Sequence, residues 1–141
     1  AEIFYDKNID KSIEYYKEAI KLNNSNACNN LATIYNSNNK YKNNKESFRL
    51  FELAANDGHK LAQCNLGNMY RKGIGIEVDF KKAVYWYKKA ADQNNLTAKY
   101  NLALMYLNYG NDENKKKGKK MLEELGDKNY GKASEKLKKL I

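Results

Sequence analysis

Apolar residues recur along this chain in a unit of 35 or 36 residues, with helical spacing inside each unit. An alanine marks one position of the unit at Ala27, Ala62, Ala98 and Ala133. Each alanine is followed after four residues by a leucine, and the first three are followed after eight by a tyrosine. These residues are Leu31, Leu66, Leu102, Leu137, Tyr35, Tyr70 and Tyr106. Offsets of four and eight fall on one face of an α-helix, so the pattern predicts a first helix in every unit.

A second set of positions with the same interval predicts a partner helix in each unit. Two adjacent positions carry large side chains, and a small residue precedes them by three positions. The large pairs are Tyr15 and Tyr16, Leu50 and Phe51, Trp86 and Tyr87, and Met121 and Leu122; the small residues are Ser12, Ser47, Ala83 and Gly118. A self-match at this period is typical of stacked helical hairpins. We therefore predict an all-α fold, an α-α superhelix (solenoid) of antiparallel helix hairpins with about seven helices plus a partial N-terminal turn.

The alanine positions divide the chain into successive units of a single α-solenoid domain. We assign 1–26 to a partial first repeat, 27–61, 62–97 and 98–132 to three repeats, and 133–141 to a C-terminal capping helix. The segment from Ala1 to Tyr5 reads as the end of a helix whose start is missing, and the first residue is not Met. We therefore expect the sequence to be a fragment of a longer protein.

Asparagine or aspartate precedes each small second-helix residue by four positions. These residues are Asn8, Asn43, Asp79 and Asn114. Side chains of this kind accept the unpaired amide hydrogens at a helix start, so we predict all four as N-caps. For the helix that follows the first turn between repeats, we predict Ser25 or Asn26 as the cap.

Glycines mark the connections between the predicted helices. Gly73 and Gly75 flank Ile74, which predicts two backbone positions with φ above zero around an inward-pointing apolar side chain. Asn38 stands at the place of Gly73 in the preceding repeat, and asparagine tolerates the same left-handed conformation. Gly58 is predicted to end its helix as a left-handed cap. A phosphate-binding glycine loop would need a preceding strand and a different spacing, so we interpret these glycines as structural.

Composition favours a helical domain and leaves the meaning of the charge open. The 141 residues contain no proline and are 42% hydrophobic. They include neither a signal segment nor the run of ~18 apolar residues that a membrane span needs. The net charge is +9, from 26 Lys and Arg against 17 Asp and Glu. One explanation of this charge is an AT-rich genome, which encodes abundant lysine and asparagine. The alternative explanation is a polyanion-binding role.

Reactive side chains form no catalytic or metal-binding constellation in the sequence. His59, the only histidine, stands in a predicted turn without a second ligand or a nucleophile. Cys28 and Cys64 fall on first helices of neighbouring repeats, and stacked helices lie ~8–10 Å apart, beyond the ~7 Å Cα separation that a disulfide allows. We predict free, partly buried thiols, which favours a reducing compartment such as the cytoplasm. We expect no enzyme activity, no cofactor and no metal.

The most regular unit carries a recognisable motif. From Ala62 to Ala91 the sequence follows A-x-x-N-L-G-x-M-Y-x-x-G-x-G-x-x-x-D-x-x-K-A-x-x-W-Y-x-K-A-A. This motif resembles the Sel-one-like repeat, a subclass of the tetratricopeptide superfamily. The other units depart from it in the loop, where Asn38 and Lys40 replace the glycines, and at the tryptophan. The resemblance implies a right-handed superhelix of helix pairs that acts as a non-catalytic adaptor holding another protein or a peptide.

A row of polar side chains on the first helices is the candidate binding surface. On a helical wheel Asn30, Asn65 and Asn101 fall at the edge of the buried stripe, along the predicted groove side. An amide offers a donor and an acceptor together, which suits the backbone of an extended peptide. The predicted set is completed by Thr33, Gln63, Asn68, Arg71 and Lys99. The alternative is that the asparagines satisfy backbone groups between repeats.

Two classes of function remain from the sequence. The first is a monomeric interaction scaffold that binds a protein or peptide on its concave face, with no small-molecule substrate. The second is binding of nucleic acid or an acidic membrane through the C-terminal lysines, because residues 113–141 hold ten Lys against five Asp and Glu. Nucleic acid is the weaker candidate, since helical-repeat readers use arginine and stacking aromatics, and this chain has two arginines. Salt dependence separates the two classes, because phosphate binding weakens steeply with salt.

Overall fold

The protein is a stack of α-helices in which each helix packs against the next one along the chain. A computed structural model describes residues 2–127 and 131–139, and these contain eight helices and no strand. They are α1 (Glu2–Lys21), α2 (Ser25–Ser37), α3 (Asn44–Asn56), α4 (Lys60–Lys72), α5 (Phe80–Asp92), α6 (Leu96–Tyr109), α7 (Asp112–Asp127) and α8 (Gly131–Lys139). The short connections make consecutive helices antiparallel neighbours. The prediction of an all-α hairpin solenoid is confirmed.

The first helices bury the repeated leucines, as the sequence pattern predicts. Leu31, Leu66 and Leu102 are 2%, 0% and 4% exposed. The repeated alanines are buried beside them, whereas the side chain of Leu137 lies outside the described residues. On the second helices, Phe51 and Tyr87 are also buried. The core is therefore the layer between first and second helices.

Small residues let the helices of a hairpin approach closely. Gly67 of α4 faces the ring of Tyr87, and a Cβ at this glycine would lie 2.7 Å from the Cδ1 atom of that ring. On α7, a Cβ at Gly118 would lie 2.7 Å from the carbonyl oxygen of Ala103. Any larger side chain at either glycine would force the two helices apart.

Helix capping agrees with the sequence prediction at the two central second helices. Asn43 accepts a hydrogen bond from the Glu46 amide, and Asp79 accepts one from the Lys82 amide. Each side chain therefore satisfies one of the amide hydrogens that a helix start leaves unpaired.

The other two predicted second-helix caps are wrong. Asn8 lies inside α1, which is continuous from Glu2 to Lys21, because this stretch contains no glycine or proline that would interrupt the helix. The predicted helix end at Tyr5 is wrong for the same reason. Asn114 lies within α7, because the connection after α6 has only two residues and the helix already begins at Asp112. The backbone amide of Asn114 donates to the side chain of Asn111.

The first helices α2, α4 and α6 share a cap position that the sequence prediction missed. The side chains of Asn24, His59 and Asn95 accept hydrogen bonds from the amides of the repeated alanines three residues later. The prediction of Ser25 or Asn26 is therefore wrong, because α2 begins at Ser25.

Left-handed residues close the turns between hairpins and shape the α4–α5 loop. Gly73 and Gly75 have φ of 70° and 74°, as predicted, and Ile74 between them packs against the core. Gly58 has φ of 88°, which confirms its predicted role. The left-handed assignment of Asn38 is wrong, because its φ is −93°. The asparagines that do adopt this conformation are Asn23 and Asn94, at the places equivalent to Gly58.

Both cysteines are free and buried, which confirms the prediction of unpaired thiols. Burial raises the pKa of the Cys64 thiol to about 11. Among residues 2–127 and 131–139, no helix combines the length and apolarity needed to cross a lipid bilayer.

Candidate functional site

The eight predicted site residues all lie on the first helices α2, α4 and α6. We call the surface of these three helices that carries Asn30, Asn65 and Asn101 the first-helix face. Asn30 is exposed, whereas Asn65 and Asn101 are partly buried. Hydrogen bonds between side chains join the three helices across this face.

The first connection joins α2 to α4. The amide nitrogen of Asn65 donates to the side-chain oxygen of Asn29 over 3.2 Å. Asn29 is 7% exposed, so this contact lies at the edge of the core. The bond fixes the orientation of the Asn65 amide.

The second connection joins α4, α5 and α6 around a buried tyrosine. The side-chain oxygen of Asn68 accepts from Asn101 over 3.3 Å and also from the hydroxyl of Tyr87. That hydroxyl accepts from Nε of Arg71 over 3.0 Å. Burial raises the pKa of Tyr87 to about 12, so the phenol stays protonated and remains a donor. One predicted site residue, Arg71, is thereby held against a core side chain.

Thr33 and Asn30 extend the first-helix face on α2. Both residues are exposed, and the hydroxyl of Thr33 donates to the carbonyl oxygen of Asn29 in its own helix. Within the described part of the chain, the Asn30 side chain has no hydrogen-bond partner. Its amide is therefore available to a ligand without breaking an internal contact.

Gln63 and Lys99 do not join this network. Gln63 is 4% exposed; it donates to the carbonyl oxygen of Ala55 over 3.2 Å and accepts from Gln93 over 2.9 Å. Its amide is thus used in holding repeats together. Lys99, at the equivalent place on α6, donates to Asn94 and faces a cleft between α5, α6 and α7.

Sequence reasoning missed two members of the network, Asn29 and Tyr87. Asn29 occupies the place of Cys64 in the next repeat, so the repeat pattern itself gave no reason to expect a polar role. The sequence pattern places Tyr87 among the large side chains of the second helices, and its ring is buried. The hydroxyl reaches Asn68 because Gly67 leaves room for the ring.

The first-helix face offers groups that form hydrogen bonds. Amides, one guanidinium and one hydroxyl offer hydrogen bonds to polar groups of a ligand. No group of three or more His, Cys, Asp or Glu that could hold a metal ion occurs among residues 2–127 and 131–139. The lysines of the alternative function are exposed on α7 at Lys115, Lys116, Lys119 and Lys120.

Stacked hairpins with equivalent capped turns and inter-repeat hydrogen bonds define an α-solenoid of helical repeats. The family model for the Sel1 repeat matches residues 3–24, 25–59, 60–95 and 96–133. The chain therefore belongs to the Sel1 repeat family. Proteins of this family are generally protein-interaction scaffolds and are typically non-catalytic.

Several curated proteins resemble parts of the chain. A putative sel1-like repeat-containing protein of Acanthamoeba polyphaga mimivirus is 50% identical over 44 residues, which is 31% of this chain and 8% of that protein. Chitin synthase regulatory factor 3 of Schizosaccharomyces pombe is 38% identical over 63 residues, which is 45% of this chain and 7% of that protein. Chitin synthase regulator SKT5 of Saccharomyces cerevisiae is 39% identical over 67 residues, covering 48% and 10%. The matches thus span at most a tenth of each relative's length.

Solved structures share the fold over most of the chain. A Sel1 repeat protein from Oxalobacter formigenes superposes with a TM-score of 0.80 at 24% identity, covering 89% of this chain and 52% of the other. A protective antigen of uropathogenic Escherichia coli that displays an SLR fold superposes with a TM-score of 0.81 at 28% identity, covering 89% and 27%.

Proposed function

We propose that this chain is a non-catalytic adaptor module that binds an extended segment of another protein along its first-helix face, which we expect to be the concave face of the superhelix. The observation that carries the proposal is the pair of side-chain hydrogen bonds from Asn65 to Asn29 and from Asn101 to Asn68. Each bond occupies one amide hydrogen and holds the rest of the amide in a fixed orientation. Fixed polar groups lower the entropy cost of binding.

The chemistry of the row suits a peptide backbone. Asn30, Asn65 and Asn101 offer both donors and acceptors, and Arg71 adds a guanidinium held by Tyr87. The alternative is that the asparagine side chains satisfy backbone groups between repeats. Against it, the hydrogen-bond partners of Asn65 and Asn101 are side chains. The names of the relatives, which include regulators of an enzyme, accord with a binding role.

A peptide-display selection tests the proposal. Random twelve-residue peptides are selected against the wild-type chain, and the best binders are titrated against Asn30→Ala/Asn65→Ala/Asn101→Ala. Each lost amide contact is worth about 0.5–1.5 kcal/mol, so we expect the triple variant to bind at least roughly tenfold more weakly. Asn30→Ala alone should weaken binding by a smaller factor without touching an internal hydrogen bond.

Matched variants and salt complete the test. Asn39→Ala/Asn56→Ala removes two exposed asparagines outside the first-helix face and should bind like the wild type. Binding should also persist when the salt concentration is raised from 50 to 500 mM. Equal affinity of wild type and the folded triple variant would refute the proposal, and a steep loss with salt would point instead to the lysines.

A further inference from the structure

A cleft of about 430 Å³ opens between α5, α6 and α7, and none of the three asparagines that define the first-helix face lines it. Its floor is apolar and includes Leu102, Met121 and Leu125. Leu102 and Leu125 are 4% and 2% exposed, so the cleft reaches down to the core. Space of this kind accepts an apolar side chain from outside.

Two residues that line the cleft differ from their equivalents in the preceding unit. Met121 stands where the preceding unit has Trp86, and Lys99 stands where that unit has Gln63. In the preceding unit the wide indole is half-buried against the core, and Gln63 bonds to Ala55 and Gln93. Methionine is narrower than an indole, and Lys99 turns toward Asn94, which also lines the cleft.

The rim of the cleft carries ammonium groups without acidic partners. The Nζ atom of Lys99 donates to the side chain of Asn94 over 3.2 Å, and the Nζ atom of Lys117 lies 5.3 Å from the ring centre of Tyr106. Neither forms an ion pair with a carboxylate in the described part of the chain. Both positive charges are therefore free to meet a negative ligand.

The remaining charged groups at the rim are one lysine and two carboxylates. They are Lys88, Asp92 and Glu124. Three lysines against two carboxylates give the lining a net charge of +1, within a chain whose net charge is +9. The rim thus favours an acidic partner over a basic one.

We propose that this cleft is a second binding site, which takes one large apolar side chain of an acidic peptide segment of a partner protein. The apolar side chain would lie on Leu102, Met121 and Leu125, and the flanking carboxylates would meet Lys99 and Lys117. This site does not depend on the first-helix face, because neither Asn65 nor Asn101 lines it. The occupant follows from the apolar floor and the unpaired positive rim.

An NMR titration of the whole chain, labelled at backbone nitrogen and methionine methyls, tests the proposal. The probe is the peptide acetyl-Asp-Glu-Leu-Asp-Glu-amide. We expect it to shift the Met121 methyl and the amides of Leu102 and Leu125. An otherwise identical peptide with a central alanine should bind roughly tenfold more weakly, because less apolar surface is buried. The charge-reversed peptide acetyl-Lys-Lys-Leu-Lys-Lys-amide should leave these signals in place.

Two variants taken from the preceding unit serve as matched controls. Met121→Trp restores the indole and should abolish the shifts at Leu102 and Leu125. Lys99→Gln restores the amide and removes one charge, so it should weaken the acidic peptide by roughly two- to fivefold. Asn65→Ala/Asn101→Ala should bind this peptide like the wild type, which separates the cleft from the asparagine row.

Four results with the peptides and variants would overturn the proposal, and a fifth comes from heparin. They are equal binding of the Leu- and Ala-centred peptides, equal binding of the charge-reversed peptide, retained binding by folded Met121→Trp, and loss of binding in the asparagine variant alone. Heparin is titrated in parallel. If it shifts the same signals as strongly as the acidic peptide, the cleft belongs to a general polyanion surface and the peptide assignment falls.

Discussion

His59 fills a helix cap that asparagine fills at the other two equivalent turns. Its Nδ1 atom accepts from the Ala62 amide over 3.2 Å, so its Nε2 atom carries the hydrogen that is donated to Asn26 over 2.7 Å. Only the neutral ring with this tautomer satisfies both contacts. Burial lowers the pKa of His59 below its usual value, which agrees with a ring that stays neutral in the folded chain.

We predict that acid weakens the fold through this ring. Because the pKa is lower in the folded state, the contribution of neutral His59 is complete above the unfolded value of about 6.5. It declines as the pH falls from there through the folded value. A cap is worth ~1 kcal/mol, which bounds the loss. Urea unfolding at pH 7.5, 6.5, 5.5 and 4.5 measures it.

The matched variant is His59→Asn, since asparagine caps α2 and α6 at the same place through Asn24 and Asn95. It should keep the helix start and remove the titration. The difference in unfolding free energy between wild type and variant should therefore change between pH 7.5 and 4.5. If the two curves run parallel, His59 does not act as a neutral cap.

At the glycines the sequence predicts the backbone conformation correctly, whereas it does not predict which side chain caps α2. Gly73 and Gly75 were predicted correctly because only glycine adopts a positive φ at little cost. The cap of α2 was not, because Asn23, Asn24 and Asn26 are all chemically suited to it. Which of them caps the helix depends on where packing starts the first turn, and a chain this rich in asparagine leaves that choice open.

The α4–α5 connection lies in close backbone contact with the start of α3 in the preceding hairpin. Gly75 has φ of 74°, and a Cβ at this position would lie 2.4 Å from the carbonyl oxygen of Asn44, at the start of α3. Gly58 has φ of 88°, but a Cβ there would meet no atom within 4 Å among the described residues. The two glycines thus share a conformation and differ in crowding.

We predict that Gly75→Ala is more destabilising than Gly58→Ala. The left-handed conformation costs an alanine ~1–2 kcal/mol at either place, and overpacking adds ~1–3 kcal/mol at Gly75 alone. Gly58→Asn should be better tolerated than Gly58→Ala, because Asn23 and Asn94 occupy the equivalent turns. Chemical unfolding of the three variants gives the order. Equal losses for the two alanine variants would show that the contact with Asn44 does not matter.

Helix pairing inside the central hairpin depends on the fit between Gly67 and Tyr87. We predict that Gly67→Ala destabilises the protein by ~1–3 kcal/mol, although alanine is the better helix former by ~1 kcal/mol, because its methyl group would collide with a buried ring. Chemical unfolding measures the loss. An unchanged or raised stability would contradict the prediction.

A double variant tests the origin of that loss. The next hairpin pairs alanine at Ala103 with leucine at Leu122 in the same two places. Gly67→Ala/Tyr87→Leu should therefore be less destabilised than the sum of its single variants, with a coupling of at least ~1 kcal/mol. Strict additivity would show that the two positions do not compete for space.

At the scale of the whole molecule, the buried side chains of the described residues form two clusters of unequal size. The larger cluster of buried residues extends from Ile13 to Met105. The smaller cluster comprises Ala103, Leu122, Leu125 and Ala133 and joins α6, α7 and α8. The cleft beside Met121 lies at the boundary between them. Repeat arrays are held together by contacts between neighbours, so this boundary should be a weak point.

We predict that α7 and α8 open before the central helices do. Backbone amides of these two helices should exchange with solvent faster than those of α3, α4 and α5, because fewer of the buried apolar side chains among the described residues lie on them. Hydrogen exchange followed by mass spectrometry at pH 7 and 25 °C measures the difference. Uniform protection along the chain would mean that the molecule opens as one unit.

The overall architecture was predictable from sequence, whereas the hydrogen-bond partners of the candidate site residues were not. The period of leucines and alanines specifies which faces are buried, and Leu31, Leu66 and Leu102 follow it. The partner of Asn65 is Asn29, while the partner of Asn101 is Asn68, one turn further along its helix. A repeat pattern predicts the same partner in every unit, so it fails wherever neighbouring units use different residues.

The asparagine pairs also bear on how such an array can lengthen. Asn65 donates to the preceding first helix and Asn68 accepts from the following one, so residues 60–95 carry both halves of a junction. A tandem duplicate of this segment would meet its own copy through Asn65 and Asn68, as Asn101 already meets Asn68. Gene duplication of this segment would therefore lengthen the solenoid by one repeat, and the hydrogen bonds at the new junction would need no further substitution.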